Sequence, residues 1–424
     1  MKIERFSDID RKSLFNRYTA SADVSGTVAG ILSDVMENGD EAVLRYTKRF
    51  DGADLQTPEV PAREIDEAAE KLDPKLRAAM EKAAENIRAY HTAQKRAGFT
   101  LPGKFGSFTG QIVTPIERVG LYIPGGTAAY PSSVFMNAIP AKIAGCSFIA
   151  MVSPPGRDGR IAAPILAAAR MAGVDRVYRC GGAQAIAALA YGTDSIPRVD
   201  KIVGPGNAYV AEAKRQVFGR VAIDMIAGPS EILVLSDGDS DPKWVAADLL
   251  SQAEHDKMAS AVLVTTSMDH ALAVEKELER QLKELPREAI ARASMENNGR
   301  IIVTEDLAEA VEAANDLAPE HLELCVAEPE KLLPLVKNAG SVFMGRYCPE
   351  SLGDYLAGPN HILPTGGTAR FSSALGVDDF VKKIQFTCYT AEALDQVAED
   401  IGVFARAEGL EAHARAALIR GGRK

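Results

Sequence analysis

Short apolar runs alternate with helix-like stretches along most of the chain. Residues 24 to 97 have apolar positions at helical spacing, and Asp73-Pro74 opens the clearest helix, with Pro at its first position. Further along, repeated strand–helix alternation predicts mainly parallel sheets covered on both faces. The predicted strands are VGLYI, SFIAMVS, RVYR, KIVG and RVAIDM in a first series, and EILVLS, AVLVTT, RIIVT, HLELCV and SVFM in a second.

The two series predict an α/β fold with two doubly wound, Rossmann-like parallel-sheet domains and a helical N-terminal portion. A break is expected near AGPSE, residues 227–231, where Gly228-Pro229 interrupts the pattern. The helices between the strands are predicted near 131–144, 160–172, 182–191 and 206–218, and then near 242–255, 267–284 and 304–316.

The last eighty residues have a different character. Residues 344–376 are rich in Gly and Pro with little periodicity, and long irregular segments of this kind are usually functional. Residues 391–420 form a charged amphipathic stretch that predicts a helix. This helix either caps its own domain or reaches a partner subunit.

Composition narrows the class of protein. The 424 residues carry 48 basic and 58 acidic side chains, a formal net charge of −10, which argues against a nucleic-acid or anionic-membrane partner. Five scattered cysteines without a CxxC pair argue against a disulfide framework and fit a reducing compartment. The charged N-terminus is unlike a signal peptide, and no apolar run is long enough for a membrane span, so we expect a cytoplasmic enzyme.

The sequence neighbours of each histidine indicate its surroundings. His91 and His270 stand among charged helical residues, which favours a solvated surface for both. Gln252 precedes His255 by three residues at a helix end, so the two share a helix face that could bind one cation, although most such pairs are plain surface. No HExxH, CxxC pair or Walker A motif is present in the sequence.

Other candidate groups lie in loops and at strand ends. Glu320-His321 stands where the chain enters an apolar strand, and catalysis and a solvent-facing pair are equally favoured there. Asp354 and His361 lie in the Gly-rich segment, where an Asp is more often a turn former. His413 follows Glu408 by five residues, a spacing more typical of a solvated pair.

A nucleotide site is only weakly indicated. KIVGPGNAY combines a strand, a Gly-Pro-Gly turn and a helix start, which can hold a phosphate on backbone N–H groups, but the third glycine of GxGxxG is missing. Asp224 follows Gly204 by twenty residues, as a ribose-binding acid would, yet that spacing arises easily by chance.

Nine strings are distributed along nearly the whole chain. In order, they are RVGLYIPGG, PSSVFMNAIPAKIAG, GGAQAIAALAYGT, VDKIVGPGNAYVAEAKR, IDMIAGPSE, DLLSQAEHD, APEHLEL, GDYLAGPNHILPT and AEGLEAHA. Together, in this order, they resemble the histidinol dehydrogenase family. The resemblance implies a soluble NAD- and zinc-dependent enzyme that oxidises L-histidinol through the aldehyde to L-histidine, the last step of histidine biosynthesis.

The resemblance also implies a zinc site shared by two subunits. Its ligands would be Gln252, His255 and Asp354, with His413 supplied by the other subunit of a homodimer and Glu408 beside it touching substrate. Two imidazoles, one carboxylate and one amide oxygen suit a borderline divalent ion.

The family resemblance assigns the remaining site residues as well. His321 would take the hydroxyl proton and Glu320 would activate water, while Ser230 would contact substrate. NAD contacts would come from Tyr122, Gln184 and Asn207. The substrate-binding set is therefore Ser230, Gln252, His255, His321, Asp354, Glu408 and His413.

These roles imply a domain division, with residues 1–20 as an N-terminal segment. Residues 21–120 plus 230–375 would form the zinc and substrate domain, 121–229 the NAD-side domain, and 376–424 a dimerisation tail that crosses to the partner subunit.

The sequence leaves four alternatives to this assignment. A cysteine nucleophile, Cys146 or Cys180, is disfavoured because both thiols stand beside glycines in apolar segments. A sister dehydrogenase acting on another zinc-bound alcohol would retain most of the site. A zinc hydrolase using Glu320 to activate water would need no NAD. A non-catalytic scaffold is the least favoured, because Glu320, His321 and all four proposed ligands are intact.

Overall fold

The computed structural model describes residues 1–11, 14, 23–125 and 129–421. Among these residues, none of the helices combines the length and apolar character needed to cross a membrane. The α-helices, numbered in chain order, are α1 Ser25–Asp51, α2 Ala62–Glu70, α3 Pro74–Thr92, α4 Pro131–Ala144, α5 Ala163–Ala172, α6 Gly182–Tyr191, α7 Ala208–Val217, α8 Pro242–Ala253, α9 Met268–Leu282, α10 Glu288–Asn297, α11 Leu307–Leu317, α12 Pro329–Leu332, α13 Glu350–Leu352, α14 Ala391–Asp395, α15 Ala398–Ala407 and α16 Glu411–Leu418.

The described strands form two parallel sheets and one small antiparallel sheet. This confirms the predicted α/β class, and most predicted strands and helices lie within a few residues of their observed positions. The strands are β1 Lys2–Arg5, β2 Phe99–Pro102, β3 Phe108–Pro115, β4 Arg118–Tyr122, β5 Phe148–Ser153, β6 Arg176–Arg179, β7 Lys201–Val203, β8 Ala222–Ile223, β9 Glu231–Ser236, β10 Ser260–Thr265, β11 Arg300–Val303, β12 His321–Cys325, β13 Ser341–Met344 and β14 Val381–Cys388.

The first parallel sheet has the order β6-β5-β4-β7-β8. Successive strands from β4 to β6 are added towards one edge of the sheet, whereas β7 and β8 are added towards the other. Doubly wound sheets bind ligands outside the carboxyl ends of the strands at such a reversal. The last strand is shorter than the predicted RVAIDM, since β8 contains two residues only. It ends where the Asp224 carboxylate turns inward to accept the backbone N–H groups of Gly204 and Met225.

The second parallel sheet has the order β1-β11-β10-β9-β12-β13. Strands β9 to β13 repeat the winding of the first sheet, with its reversal between β9 and β12. The N-terminal strand adds to one edge, where Lys2 pairs with Arg300 of β11. The sequence-based division treats residues 1–20 as a separate segment, whereas the described part of that segment is built into this sheet.

Helices α1 to α3 pack against the first sheet and its helices. Val28 and Ile31 of α1 share a buried cluster with Tyr178 of β6. Met80 and Ile87 of α3 share another with strands and helices of the same sheet. The observed packing therefore groups the helices between residues 25 and 92 with the first sheet, whereas the sequence-based division grouped residues 21–120 with the second.

The prediction that His91 and His270 are solvated is wrong. His91 is fully buried and its Nδ1 lies 2.8 Å from Oε1 of Gln94, while His270 is 5 % exposed and its Nε2 lies 3.2 Å from Oγ of Ser236. Each histidine lies four residues from a buried apolar residue on its own helix, and therefore on the inward face. The charged neighbours in the sequence occupy the other faces.

The antiparallel sheet has the order β14-β3-β2 and was not predicted. Most of its side chains are exposed on both faces, including Phe99, Leu101 and Ile384. The predicted helical stretch 391–420 follows it as three short helices, α14 to α16. The described residues of 344–376 are largely irregular, as the Gly and Pro content predicted.

Candidate active site

The Glu320-His321 pair lies at the amino ends of β9 and β12, the neighbouring strands between which the winding of the second sheet reverses. His321 is the first residue of β12 and pairs with Ile232 of β9. The backbone of Glu231 holds both side chains: its N–H donates to Oε2 of Glu320 at 2.8 Å, and its carbonyl oxygen lies 2.8 Å from Nδ1 of His321. The pair therefore lies at the opposite edge from the one where doubly wound sheets ordinarily bind ligands.

The contact with a carbonyl fixes the tautomer of His321. A carbonyl oxygen only accepts, so Nδ1 carries the proton and Nε2 is left with its lone pair. Nε2 is buried and has no hydrogen-bond partner among the described residues. Burial lowers the pKa of His321, although the nearby Glu350 carboxylate opposes the shift. The imidazole is thus held neutral, as a general base requires.

Glu320 is buried beside this imidazole. Burial raises the pKa of Glu320 well above its ordinary value, and the charges of Glu231 and Asp354 act in the same direction. The hydrogen bond from the Glu231 N–H is the opposing influence. A carboxyl group with a raised pKa can both deliver and remove protons near neutral pH.

The loop after β13 brings further acidic groups to the pair. Helix α13 runs directly into a π-helical turn, Gly353–Ala357, which carries Asp354. The turn approaches β13 closely, because a Cβ on Gly353 would lie 2.4 Å from Cε1 of Phe343. Burial, together with the neighbouring Glu350, raises the pKa of Asp354 to about 9.

Glu350, the first residue of α13, is fixed at both its backbone and its side chain. Its N–H donates to Oε1 of the buried Glu323 at 2.6 Å, and Oγ of Ser251 donates to its Oε2 at 3.1 Å. Ser251 precedes Gln252 in the last turn of α8, so this contact ties the end of α8 to the cluster. Ligand-type atoms of His321, Glu350 and Asp354 all lie within 4.8 Å of one another.

The predicted zinc ligands have different surroundings in the described chain. Gln252 is 1 % exposed, and its Oε1 has no hydrogen-bond partner there. His255 is exposed just beyond α8, close enough for its charge to lower the pKa of His321. His413 and Glu408 are exposed on the C-terminal helices. The described cluster of potential metal ligands includes neither His255 nor His413.

His361 connects this cluster to the first sheet. Its Nδ1 lies 3.1 Å from the carbonyl oxygen of Asp354, and its Nε2 lies 3.2 Å from Oγ of Ser133 in the first turn of α4. Burial lowers the pKa of His361 to about 4. Because α4 follows β4, the carboxyl edge of the first sheet faces the amino edge of the second.

The three predicted NAD contacts lie at or just beyond the carboxyl ends of strands of the first sheet. Tyr122 ends β4, and its hydroxyl accepts the N–H of Gly182 at 3.1 Å. Gln184 is buried in the first turn of α6, with Oε1 lacking a partner among the described residues. Asn207 caps α7 through the N–H groups of the next turn.

Asp224 is not available to a ribose. It forms a fully buried ion pair with Lys214, and Nζ of Lys214 also donates to the carbonyl oxygen of Gly204 at 2.9 Å. Asp224 in turn accepts the Gly204 N–H at 2.7 Å. Asp224 therefore stabilises the Gly-Pro-Gly turn from its buried side. This agrees with the interpretation that its twenty-residue spacing from Gly204 does not mark a ribose-binding acid.

The two cysteines considered as nucleophiles are buried. Burial raises the pKa of Cys146 to about 11, and that of Cys180 further still. A thiol that stays protonated is a poor nucleophile, since the thiolate is the reactive form. Neither thiol therefore has the surroundings of a reactive nucleophile.

Sequence reasoning did not single out Glu350, Glu231 or Ser133. Glu231 contributes through its backbone, which no residue pattern records. Glu350 precedes Asp354 by four residues, and this helical spacing between two acids was the one available signal.

Comparisons with known proteins indicate one family. The family model described as histidinol dehydrogenase matches residues 15–421. The histidinol dehydrogenase of Geobacillus kaustophilus is 56 % identical over 93 % of each chain, and that of Syntrophotalea carbinolica is 52 % identical over 99 % of each. A crystal structure of the Elizabethkingia anophelis histidinol dehydrogenase superposes with a TM-score of 0.94 at 39 % identity, covering 99 % of this chain and 98 % of that one.

The two doubly wound sheets, the buried acid–base pair between them and these matches define an enzyme of the oxidoreductase class. In particular, the chain belongs to the histidinol dehydrogenase family.

Proposed function

We propose that the chain catalyses the NAD-dependent, four-electron oxidation of L-histidinol through L-histidinaldehyde to L-histidine, the last step of histidine biosynthesis, with zinc positioning the substrate. The observation that carries the proposal is the backbone of Glu231, which holds a neutral imidazole and a buried carboxyl group side by side. This acid–base pair faces the sheet edge where a dinucleotide is expected.

His321 is the general base in this proposal. Its Nε2 has a free lone pair, since Nδ1–H donates to the carbonyl oxygen of Glu231, so Nε2 accepts the substrate hydroxyl proton as the carbon is oxidised. Glu320 removes a proton from the water that adds to the aldehyde. Its raised pKa makes it a stronger base than an exposed Glu. Bound NAD supplies the hydride acceptor, and about two are consumed per substrate.

The donor atoms fit a divalent metal ion. The buried Oε1 of Gln252 lacks a partner, and the Asp354 carboxyl group lies in a pocket of like charges that a cation would neutralise. Gln252, His255 and Asp354 would hold zinc, and bound zinc would supply a Lewis acid for the substrate nitrogens. Ser230, which directly precedes β9 and is partly buried, would contact the substrate beside them.

The cofactor is assigned to the carboxyl edge of the first sheet. Tyr122 ends β4, and Gln184 and Asn207 follow β6 and β7; the winding reverses between β4 and β7. The contact between His361 and Ser133 spans the gap from this edge to the acid–base pair. These positions support hydride transfer between the two sheets.

The final ligand is assigned to a second copy of the chain. The three-stranded sheet and the C-terminal helices expose large apolar side chains, with Val403, Phe404 and Ile419 at least 60 % exposed. Apolar surface of this extent supports burial in a homodimer. His413 of the partner subunit would then complete the zinc site, with Glu408 of the partner subunit contacting substrate.

The test is NADH formation by the purified enzyme given histidinol and NAD, before and after chelation. We expect about two NADH per histidinol, loss of activity with the metal, and recovery when zinc is restored. Histidinol should also be compared with other small amino alcohols. Absence of NADH from metal-loaded dimer, or better turnover of another alcohol, would contradict the proposed reaction.

A matched experiment examines the shared site. His413→Ala chains mixed with Glu320→Gln chains should regain activity, because one hybrid site receives both intact residues. Hybrid dimers that stay inactive, or an active monomer lacking residues 391–424, would contradict the shared site.

A further inference from the structure

Asp51, the last residue of α1, is an acid in an unfavourable position. The C-terminal end of a helix carries a partial negative charge, which disfavours a carboxylate there. The side chain is half-buried, and its Oδ2 has no hydrogen-bond partner among the described residues. Burial raises the pKa of Asp51 to about 6, and no basic side chain of the described chain opposes this shift. An acid that costs stability in this way points to a ligand.

The carboxylate of Asp51 lies at the carboxyl edge of the first sheet. Burial raises the pKa of Tyr122, which ends β4, to about 12, and the charge of Asp51 acts in the same direction. Burial likewise raises the pKa of Cys180, which directly follows β6, and the charge of Asp51 again contributes. Asp51 therefore lies near the ends of two strands of this sheet, at the edge where doubly wound sheets bind ligands.

The groups beside Tyr122 indicate what kind of ligand fits. The buried Oε1 of Gln184 also lacks a partner in the described chain, and it would lie 2.8 Å from a Cβ on Gly182. The Tyr122 hydroxyl accepts the Gly182 N–H at 3.1 Å, so its own proton remains to be donated. One donor and two acceptors suit a ligand with hydroxyl groups, because a hydroxyl both donates and accepts. A metal ion would be repelled by the proton that Tyr122 keeps.

The hydroxyl groups of NAD belong to its two riboses, and a carboxylate is the usual ribose ligand in doubly wound enzymes. Asp224 is not available, because it is paired with Lys214. The position of Asp51 favours the adenosine ribose. Helices α1 and α6 cover one face of the first sheet, whereas α4 covers the other and contacts His361 of the catalytic cluster through Ser133. The reacting nicotinamide belongs on the side of that cluster, so the ribose near α1 is the distant one.

We propose that the Asp51 carboxylate binds the hydroxyl groups of the adenosine ribose of NAD, an inference that rests on the proposed function. The ribose hydroxyls give the buried Oδ2 the donor that it lacks. The carboxylate takes the place of the acid in the usual dinucleotide fingerprint, and its charge repels the 2′-phosphate of NADP.

The experiment measures dinucleotide binding directly, by isothermal titration calorimetry of the zinc-loaded dimeric protein. The ligands are NAD, NADP and two NAD analogues, one lacking both hydroxyls of the adenosine ribose and the other lacking those of the nicotinamide ribose. The variants are Asp51→Asn and Asp51→Ala. Asp54→Asn is the control, since Asp54 is an exposed acid of the same segment that pairs with Lys48. Urea unfolding of each protein is recorded as well.

We expect Asp51→Ala to weaken NAD binding by about 10- to 100-fold, the loss expected for hydrogen bonds to a charged acceptor. KM for NAD should rise with little change in kcat. Wild type should bind the adenosine analogue more weakly than NAD, whereas Asp51→Ala should bind the two alike. Asp51→Asn should discriminate less against NADP, and Asp54→Asn should behave as wild type.

Unfolding separates this binding role from a structural one. Both Asp51 variants should unfold at the same urea concentration as wild type or at a higher one, because each removes a half-buried charge from a helix C-terminus. A structural role predicts unfolding at a lower concentration. The comparison of NAD with its analogues in wild type does not depend on how the variants fold.

Other outcomes overturn the inference. Asp51→Ala protein that binds NAD as wild type does, or that still discriminates against the adenosine analogue, would exclude Asp51 as the ligand. Equal binding of NAD and the nicotinamide analogue in that variant alone would assign Asp51 to the other ribose and contradict the assignment. Wild-type protein that binds zinc and histidinol but no NAD would contradict the proposed function itself.

Discussion

Replacing Asp224 by Asn should destabilise the protein strongly and weaken NAD binding. The carboxylate is paired with Lys214, and the two side chains are 1 % and 2 % exposed respectively. The Asn variant leaves the Lys214 ammonium buried with the carbonyl oxygen of Gly204 as its remaining described partner. Removing one partner of a buried ion pair costs about 3–5 kcal/mol of unfolding free energy. Because the carbonyl oxygen of Gly204 still accepts from Lys214, we expect a loss of about 3 kcal/mol.

Replacing the other partner should cost less. In Lys214→Met the Asp224 carboxylate keeps two backbone donors, Gly204 at 2.7 Å and Met225 at 2.6 Å. Hydrogen bonds to a charged group are worth about 1.5–3 kcal/mol each, so they stabilise the unpaired anion. The double variant should be more stable than the sum of the single losses predicts, by about 1 kcal/mol or more.

The assay is urea unfolding followed by circular dichroism, together with NAD titration of each variant. Arg215→Met is the control, because Arg215 lies on the same helix and forms an ion pair with Glu212 while 56 % exposed. Its loss should cost less than about 1 kcal/mol. The reasoning is refuted if Asp224→Asn is as stable as Arg215→Met, or if it binds NAD as wild type despite loosening the turn before Asn207.

Two further predictions concern the acid–base pair and the metal. His321→Asn should lower kcat by about 10²–10⁴-fold with a smaller change in KM, since the Asn amide can still donate to the carbonyl of Glu231; wild-type turnover would exclude His321 as the base. Zinc affinity should rise by up to about tenfold per pH unit between pH 7 and 8.5, because Asp354, with its pKa raised to about 9, must lose a proton to bind. Competition with a chelator corrected for its own protonation measures this slope, and a flat profile would contradict it.

Elements with a clear local signal could be predicted from the sequence. Helices α4 and α6 were predicted at their observed bounds, because Pro131 marks one start and Gly192 ends the other. Strands β4, β5 and β9 are apolar on both faces, as central parallel strands require. The pattern of apolar and polar residues therefore predicts an element correctly where burial requires apolar side chains.

The antiparallel sheet and the first strand could not be predicted in this way. In β2 and β14 most positions are exposed, so no apolar alternation marks them. Strand β1 is four residues long and carries charged residues at three of its positions. Its place in the sheet depends on β11, far along the chain, and not on its own pattern.

The residues of the candidate site also differ in how far their local sequence indicates their surroundings. Gln252 and Asp354 became candidates through family resemblance, because each alone is unremarkable in its local context. The only signal for Glu350 was its four-residue spacing from Asp354, since a Glu is ordinarily a surface residue and its burial depends on contacts with α8 and β12. The predictions for His91 and His270 were wrong for the same reason: neighbours in sequence do not reveal which face of a helix points inward.

The pairing of β1 with β11 has a consequence for how the nascent chain matures on the ribosome. The first strand leaves the exit tunnel early, but its partner is synthesised about 300 residues later. Meanwhile the first sheet and its helices, between residues 25 and 223, have all the strands they need. The first sheet and its helices should therefore fold first. Strand β1 should pair with β11 at the edge of the second sheet only late in folding.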